Sequence, residues 1–314
     1  LSEAYDAFFK ATWSAETAGP AFYHLACISL KTGQAAAALQ FVDESLYHGW
    51  HNMRARSLKA SILAGMRDRE GLSLFLRESL AIDPLYFSLL YRLQDREAFI
   101  QALGGRLENY LNVAYEYLAF GCWQDAIDVL TLCPVESPLK YDCMAYCEGR
   151  LGNAEKAVLL AQKAETLSTD FCFPNRTEEQ LILAYAIEIL SSAPIAHYCL
   201  GELLYDRKQY DSAIRHWEKA VQERPDLAPA FRNLSIAYYN HGDRDLARPA
   251  IAEACRLEPM SSRFLLEQDQ LLKRLDYPVQ TRLELLEAHA ELLPDRYALM
   301  LAYVSLLNLD SQYE

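Results

Sequence analysis

The strongest constraint on this chain is a period. The segment HYCLGELLYDRKQYDSAIRHWEKAVQERPD, residues 197–226, returns 34 residues later as FRNLSIAYYNHGDRDLARPAIAEACRLEP, residues 231–259. Leu200-Gly201 aligns with Leu234-Ser235, Ala213 with Ala247, Trp217 with Ile251, Ala220 with Ala254 and Pro225 with Pro259. A repeat of this length marks a chain built from stacked units, each leaving an apolar face that only a neighbour can cover. The small Gly201 and Ala213 let the two helices of one unit approach closely, and Trp217 fills the space beside them. Pro225 ends the second helix because it has no backbone N–H to donate.

The register extends through the chain. Phe22, Leu25, Ala26, Gly33, Ala38, Val42 and Ser45 form one unit, and Ala60, Leu63, Leu72, Leu76, Ser79 and Pro84 the next. Tyr110, Val113, Ala114, Tyr117, Gly121, Ala126 and Leu130 form another. Tyr141, Met144, Ala145, Gly152, Ala157, Ala161 and Ala164 follow it at an offset of 31. After Pro259 a weaker unit runs through Leu266, Leu286 and Pro294, with a final helix starting near Asp295. Small residues at the helix crossing, large ones between them and a closing Pro resemble the tetratricopeptide repeat. That resemblance implies an all-α solenoid of helical hairpins wound as a right-handed superhelix.

Two stretches break the period. LYFSLLYRLQDREAFIQALGG, residues 85–105, reads as short degenerate helices, and CFPNRTEEQLILAYAIEIL, residues 172–190, as a Pro-Asn loop followed by one helix. Both can be worn repeats; alternatively they change the curvature of the array and open a notch. The expected organisation is an array over 1–173 that begins in a second helix, an irregular segment over 174–193, and an array over 194–314 that ends after a first helix. In support, Ala4, Phe8 and Ala11 fall on the slots of Ala38, Val42 and Ser45, and LLNLDSQYE, residues 306–314, stops where a second helix would begin. Ends cut in this way expose apolar faces, so the expectation is that they pack on each other or on another copy, giving a possible homo-oligomer.

Composition removes whole classes of function. Asp and Glu outnumber Lys and Arg 43 to 30, for a formal charge of −13, which argues against nucleic acid as a partner because phosphates call for clustered cations. No apolar run reaches the ~18 residues of a membrane span. Eight cysteines lack the paired spacing of a zinc site, although Cys143 and Cys147 share a helix face with Cys122, Cys133 and Cys172 nearby; they read as small core residues in a reducing, cytoplasmic setting. His48 and His51 flank Gly49-Trp50 at a helix end, where a His caps carbonyls. No nucleophile elbow, zincin motif or phosphate loop occurs, and no cofactor is expected.

The family resemblance implies that the first helix of each unit lines the concave face, at repeat positions 2, 5, 9, 12 and 13 and the neighbouring sixth. The ligand-binding candidates there are Tyr23, Tyr115, Tyr146, Tyr198, Tyr205, Arg232, Asn233, Tyr239 and Asn240. Tyrosine offers a broad apolar face and a hydroxyl at low entropic cost, which suits an extended peptide or a partner helix. The same rings pack against neighbouring helices in many repeats, so a packing role stands beside the binding one. Arg232, Asn233 and Asn240 sit where a carboxylate or a backbone can be held.

A second resemblance covers the whole chain. YDAFFKATW (5–13), FPNR (173–176), LLYDRKQYDSAI (203–214), FRNLSIAYYN (231–240) and LLEQDQLLKRL (265–275) are similar to the helical tail of a family of large bacterial proteins. In that family an uncharacterised galactose mutarotase-like domain precedes the repeats. The resemblance implies a partner domain upstream in the same polypeptide. The expected function is a non-catalytic scaffold for protein or peptide binding. The alternative is an accessory or assembly module of a carbohydrate-active enzyme that contacts sugar.

Overall fold

The computed structural model describes residues 1–310, and among them there is no strand. Residues 311–314, the last part of the expected break in LLNLDSQYE, lie outside the described residues. The chain divides into two compact units, residues 1–168 and residues 169 onward.

In the first unit α1 (Ser2–Ala11) packs on the pair α2 (Ala18–Lys31) and α3 (Ala35–His48). Next come α4 (Met53–Gly65) with α5 (Arg69–Ile82), then α6 (Phe87–Arg92) with α7 (Arg96–Leu103). The pairs α8 (Leu107–Phe120) with α9 (Trp123–Thr131) and α10 (Pro138–Arg150) with α11 (Ala154–Ala164) complete it. The first irregular stretch is therefore a shortened helix pair inside the stack, with α6 seated on both α4 and α8.

The second unit opens with a loop and α12 (Thr177–Ile189), whose first turn is held by Glu179: its Oε2 accepts from the N–H groups of Asn175 at 2.6 Å and Arg176 at 2.7 Å. The pairs α13 (Pro194–Asp206) with α14 (Tyr210–Glu223) and α15 (Ala228–His241) with α16 (Arg244–Leu257) follow. Then come α17 (Ser262–Arg274), α18 (Val279–Glu287), a 3-10 turn at Ala290–Asp295 and α19 (Tyr297–Leu309). The final helix thus starts two residues after the position expected from the sequence, because Pro294 sits in the tighter turn.

The packing of each pair follows from its small residues. Ala26, Ala60, Ala114, Ala145, Gly201 and Ser235 occupy one slot and are all buried. At Gly201 a Cβ would stand 2.5 Å from Nε1 of Trp217. The indole is 3% exposed and donates its N–H to the carbonyl of Tyr198 at 3.1 Å. The close crossing thus fills space and satisfies the one polar atom of the ring.

A second regularity lies in the backbone. Gly33, Arg67, Gly121, Gly152, Lys208, Gly242 and Asp276 all have positive φ and stand at the turn between the helices of a pair. In each case the following N–H reaches back to the carbonyl five residues earlier, as in Gln209 to Leu204 at 2.9 Å and Asp243 to Tyr238 at 2.9 Å. This is the Schellman closure, which satisfies end carbonyls and reverses the chain. It recurs even where Arg, Lys or Asp must adopt the left-handed conformation that favours glycine.

Candidate functional site

The structure places the nine candidate residues in two different environments. In the first unit the first-helix faces close on themselves. Tyr23 of α2 meets Phe120 of α8 edge to face, with centroids 6.5 Å apart, and Lys31 lies against Gly121. Tyr23 is 9% exposed and Tyr115 is 3% exposed. Here the sequence expectation of ligand-facing tyrosines meets a filled interior: the rings pack between helices and are not presented to an incoming chain.

At the centre of this interior is a carboxylate that sequence reasoning did not single out. Glu116 of α8 is buried, accepts a hydrogen bond from the Tyr86 hydroxyl at 2.9 Å, and lies beside the hydroxyls of Ser57 and Ser88. Burial raises its pKa because the charged form loses more hydration than those hydroxyls return. Tyr146 of α10 is half-buried and packs edge-on against Trp123, with centroids 6.1 Å apart, beneath the Arg150 guanidinium that lies over the same indole.

The second unit carries the other six on two successive first helices, α13 and α15, with α17 beside them. On α13, Tyr198 is buried and donates its hydroxyl to Oε1 of Glu202 at 2.8 Å. Burial pushes the Glu202 carboxyl up to about 7, with the Asn233 amide and the Tyr198 hydroxyl pulling the other way. Tyr205 packs between Tyr210 and Trp217, and its hydroxyl accepts from the Asn240 side chain at 2.7 Å. Arg232 of α15 forms a two-point ion pair with Glu267 of α17 through Nε at 2.5 Å and Nη2 at 2.7 Å, and its Nη1 reaches Asn233 at 3.0 Å. Its fork is therefore occupied from within, and any ligand carboxylate competes with Glu267.

Two adjoining concavities lie on this face. One of about 260 Å³ is lined by Glu202, Tyr205, Asp206, Trp217, Arg232, Asn233 and Ile236. The other, about 220 Å³, is lined by Arg232, Ile236, Tyr239, Asn240, Glu267, Gln270 and Arg274 among others. Arg232 and Ile236 belong to both walls, so the strip is continuous from α13 to α17. Glu202 falls on an inward-facing slot of the repeat, whereas Glu267, Gln270 and Arg274 are the residues that sequence reasoning missed. The signal was available for Gln270 and Arg274, which lie on the third first helix, where the repeat consensus fades.

Elsewhere the chemistry is structural. The eight cysteines are free, and among the described residues no group of three or more His, Cys, Asp or Glu side chains could hold a metal ion. Cys143 and Cys147 are buried, and the Sγ atoms of Cys172 and Cys199 lie 3.6 Å apart. His48 stacks on Phe22 at 5.9 Å instead of capping a carbonyl. His197 and His216 share a 2.8 Å contact between their Nδ1 atoms; burial lowers the pKa of both, that of His216 to about 4. No helix among the described residues is long and apolar enough to cross a membrane.

Each unit is a stack of tetratricopeptide-like helix pairs. The sequence model of the tetratricopeptide repeat family matches residues 194–227, which hold the α13–α14 pair. Among solved structures the chain is similar to MamA from Desulfovibrio magneticus RS-1, at 20% identity, covering 60% of this chain and 96% of that one with a TM-score of 0.36. It is also similar to the Cut9–Hcn1 hetero-tetramer of APC/C, at 14% identity over 87% of this chain and 52% of that one, with a TM-score of 0.38. Yeast Tom70 matches at 14% identity over 98% of this chain and 77% of that one, with a TM-score of 0.36.

Proposed function

We propose that this chain is a non-catalytic scaffold that binds an extended polypeptide along the first-helix face of α13, α15 and α17. The observation that carries the reading is the continuous strip of two concavities sharing Arg232 and Ile236, walled by tyrosines and by amide and guanidinium groups. Such a surface offers apolar area for side chains and scattered donors and acceptors for a peptide backbone.

The test is selection of a random decapeptide library on the wild-type chain, followed by titration of the selected peptides against Ile236→Arg, which places a long cation in the shared wall. Peptides that bind the wild type and lose at least about tenfold in affinity on the variant support the reading; equal binding to both refutes it. The upstream galactose mutarotase-like domain implied by the sequence resemblance is carried in the proposal as a partner within the same polypeptide. Association between copies belongs to it as well: α19 exposes Tyr297, Leu301 and Val304, and light scattering on Leu301→Glu should then show a smaller particle than the wild type.

A further inference from the structure

We infer that the edge of the second unit where α15 turns into α16 and where α17 ends is a docking surface for an acidic polypeptide segment. Three guanidiniums lie over two tyrosine rings there. Arg244 and Arg274 are 5.9 Å and 5.8 Å from the centroid of Tyr239. Arg248 is 5.0 Å from that of Tyr277 and donates to its hydroxyl at 3.0 Å.

All three arginines are exposed, and among the described residues none is in an ion pair. The neighbouring carboxylates are otherwise engaged: Asp243 pairs with His241 at 2.7 Å, and Glu267 with both Arg232 and Arg263. Asp245 and Asp276 lie in the same turns, yet neither reaches ion-pair distance of the three. In a chain of formal charge −13, Arg207, Lys219, Arg232, Arg256, Arg263 and Arg282 of this unit are in ion pairs, whereas these three lie together without one.

The chemistry of the arrangement selects the partner. A guanidinium lying over an aromatic ring is held by its face, which leaves the N–H edge to meet a carboxylate in its own plane. Holding three of them on rings removes side-chain freedom that an exposed ion pair otherwise has to overcome. Arg274 and Tyr239 also line the 220 Å³ concavity, so an acidic side chain at the edge enters a pocket carrying the amides of Asn240 and Gln270. A long polyanion such as nucleic acid would extend past three cations onto an acidic surface and be repelled. A short run of Asp and Glu fits within the patch. The inference goes beyond the concave-face reading, and takes from it only that the partner is a polypeptide.

The experiment is fluorescence anisotropy of a fluorescein-labelled peptide of six glutamates titrated with the full chain. Saturable binding is expected, weakening as salt rises from about 50 to about 200 mM. The double variant Arg244→Glu, Arg274→Glu should lose about tenfold or more in affinity. Arg69→Glu, Arg77→Glu, the same charge change at exposed positions of the first unit, should lose much less. Arg274→Lys, which keeps the charge and loses the planar fork, should fall between wild type and the double variant. Circular dichroism on each variant checks that the helices are intact. Absence of saturable binding, equal losses in the two double variants, or tighter binding of an oligonucleotide of equal charge would each overturn the inference. These variants share no residue with the Ile236→Arg test, so either proposal can fail alone.

Discussion

Gly201→Ala is the sharpest test of how the pairs are held together. The added methyl would sit 2.5 Å from Nε1, 2.6 Å from Cδ1 and 2.9 Å from Cε2 of Trp217. All three atoms belong to a rigid ring that is 3% exposed and tied to the Tyr198 carbonyl by its N–H. The indole must retreat by about 1 Å before contact becomes ordinary, stretching that hydrogen bond and pressing on Tyr205, which lies 5.3 Å from it centroid to centroid. Overpacking of this kind costs about 1–3 kcal/mol, and loss of the bond to a buried N–H about 1 kcal/mol more. Against it stands the helix propensity of Ala over Gly, about 1 kcal/mol. The expected net is a destabilisation of about 1–3 kcal/mol centred on α13 and α14. Repeat arrays depart from all-or-none unfolding, so the assay is amide hydrogen exchange. Protection should fall in residues 194–223 more than in residues 1–168. Adding Trp217→Leu makes room for the methyl, so the double variant should be more stable than the sum of the two single changes. A Gly201→Ala chain that gains stability by the full propensity term would refute the claim that the crossing is limited by contact.

Three further outcomes follow from other parts of the molecule. Lys208→Gly relieves a left-handed Lys at φ 62° and should stabilise by about 1 kcal/mol, whereas Gly242→Ala, at φ 105° with open space around it, should cost about 1–2 kcal/mol by backbone strain alone; thermal unfolding reads both. Glu202 has its folded pKa raised to about 7, so the stability of its neutral form is fully present below the ordinary carboxylate pKa and is lost as pH rises through 7. Denaturant titrations from pH 5 to 8 should show a loss on the order of 2–3 kcal/mol in wild type relative to Glu202→Gln, which stays neutral; parallel curves would contradict the assignment. The buried pair of Arg282 and Asp269, two bonds at 2.8 and 2.9 Å between α18 and α17, should cost about 3–5 kcal/mol on Asp269→Ala, because an unpaired guanidinium stays behind; chemical denaturation measures it.

The repeat architecture was legible because its determinants are local and periodic. A small residue at the crossing, a large one packed beside it and a turn once in each unit impose the same solution each time. The turn itself was less legible. Gly33, Gly121, Gly152 and Gly242 announce a positive φ, but Arg67, Lys208 and Asp276 adopt it without any sequence mark. There the Schellman bonds and the packed pair outweigh an intrinsic penalty of about 1 kcal/mol.

The candidate face was half legible, and the divide between its halves has a physical cause. Repeat position tells which side of a helix a residue occupies, and by that rule Tyr23, Tyr115, Tyr198 and Tyr205 are equivalent. It does not tell whether that side meets solvent or another helix. In the first unit α8 packs against α2 as well as α6, so the faces carrying Tyr23 and Tyr115 become an interior around Glu116. In the second unit α13, α15 and α17 leave concavities between them, and Tyr205 and Tyr239 line those. The sign of the local field was equally hidden. Arg232 reads as a free cation in the sequence, but Glu267, 35 residues on, occupies its fork. Arg274, at the end of α17, stays out of any ion pair and lies over Tyr239. Which cation is spent and which is left for a partner depends on pairs one repeat apart, and periodicity places those side by side without saying which of them bond.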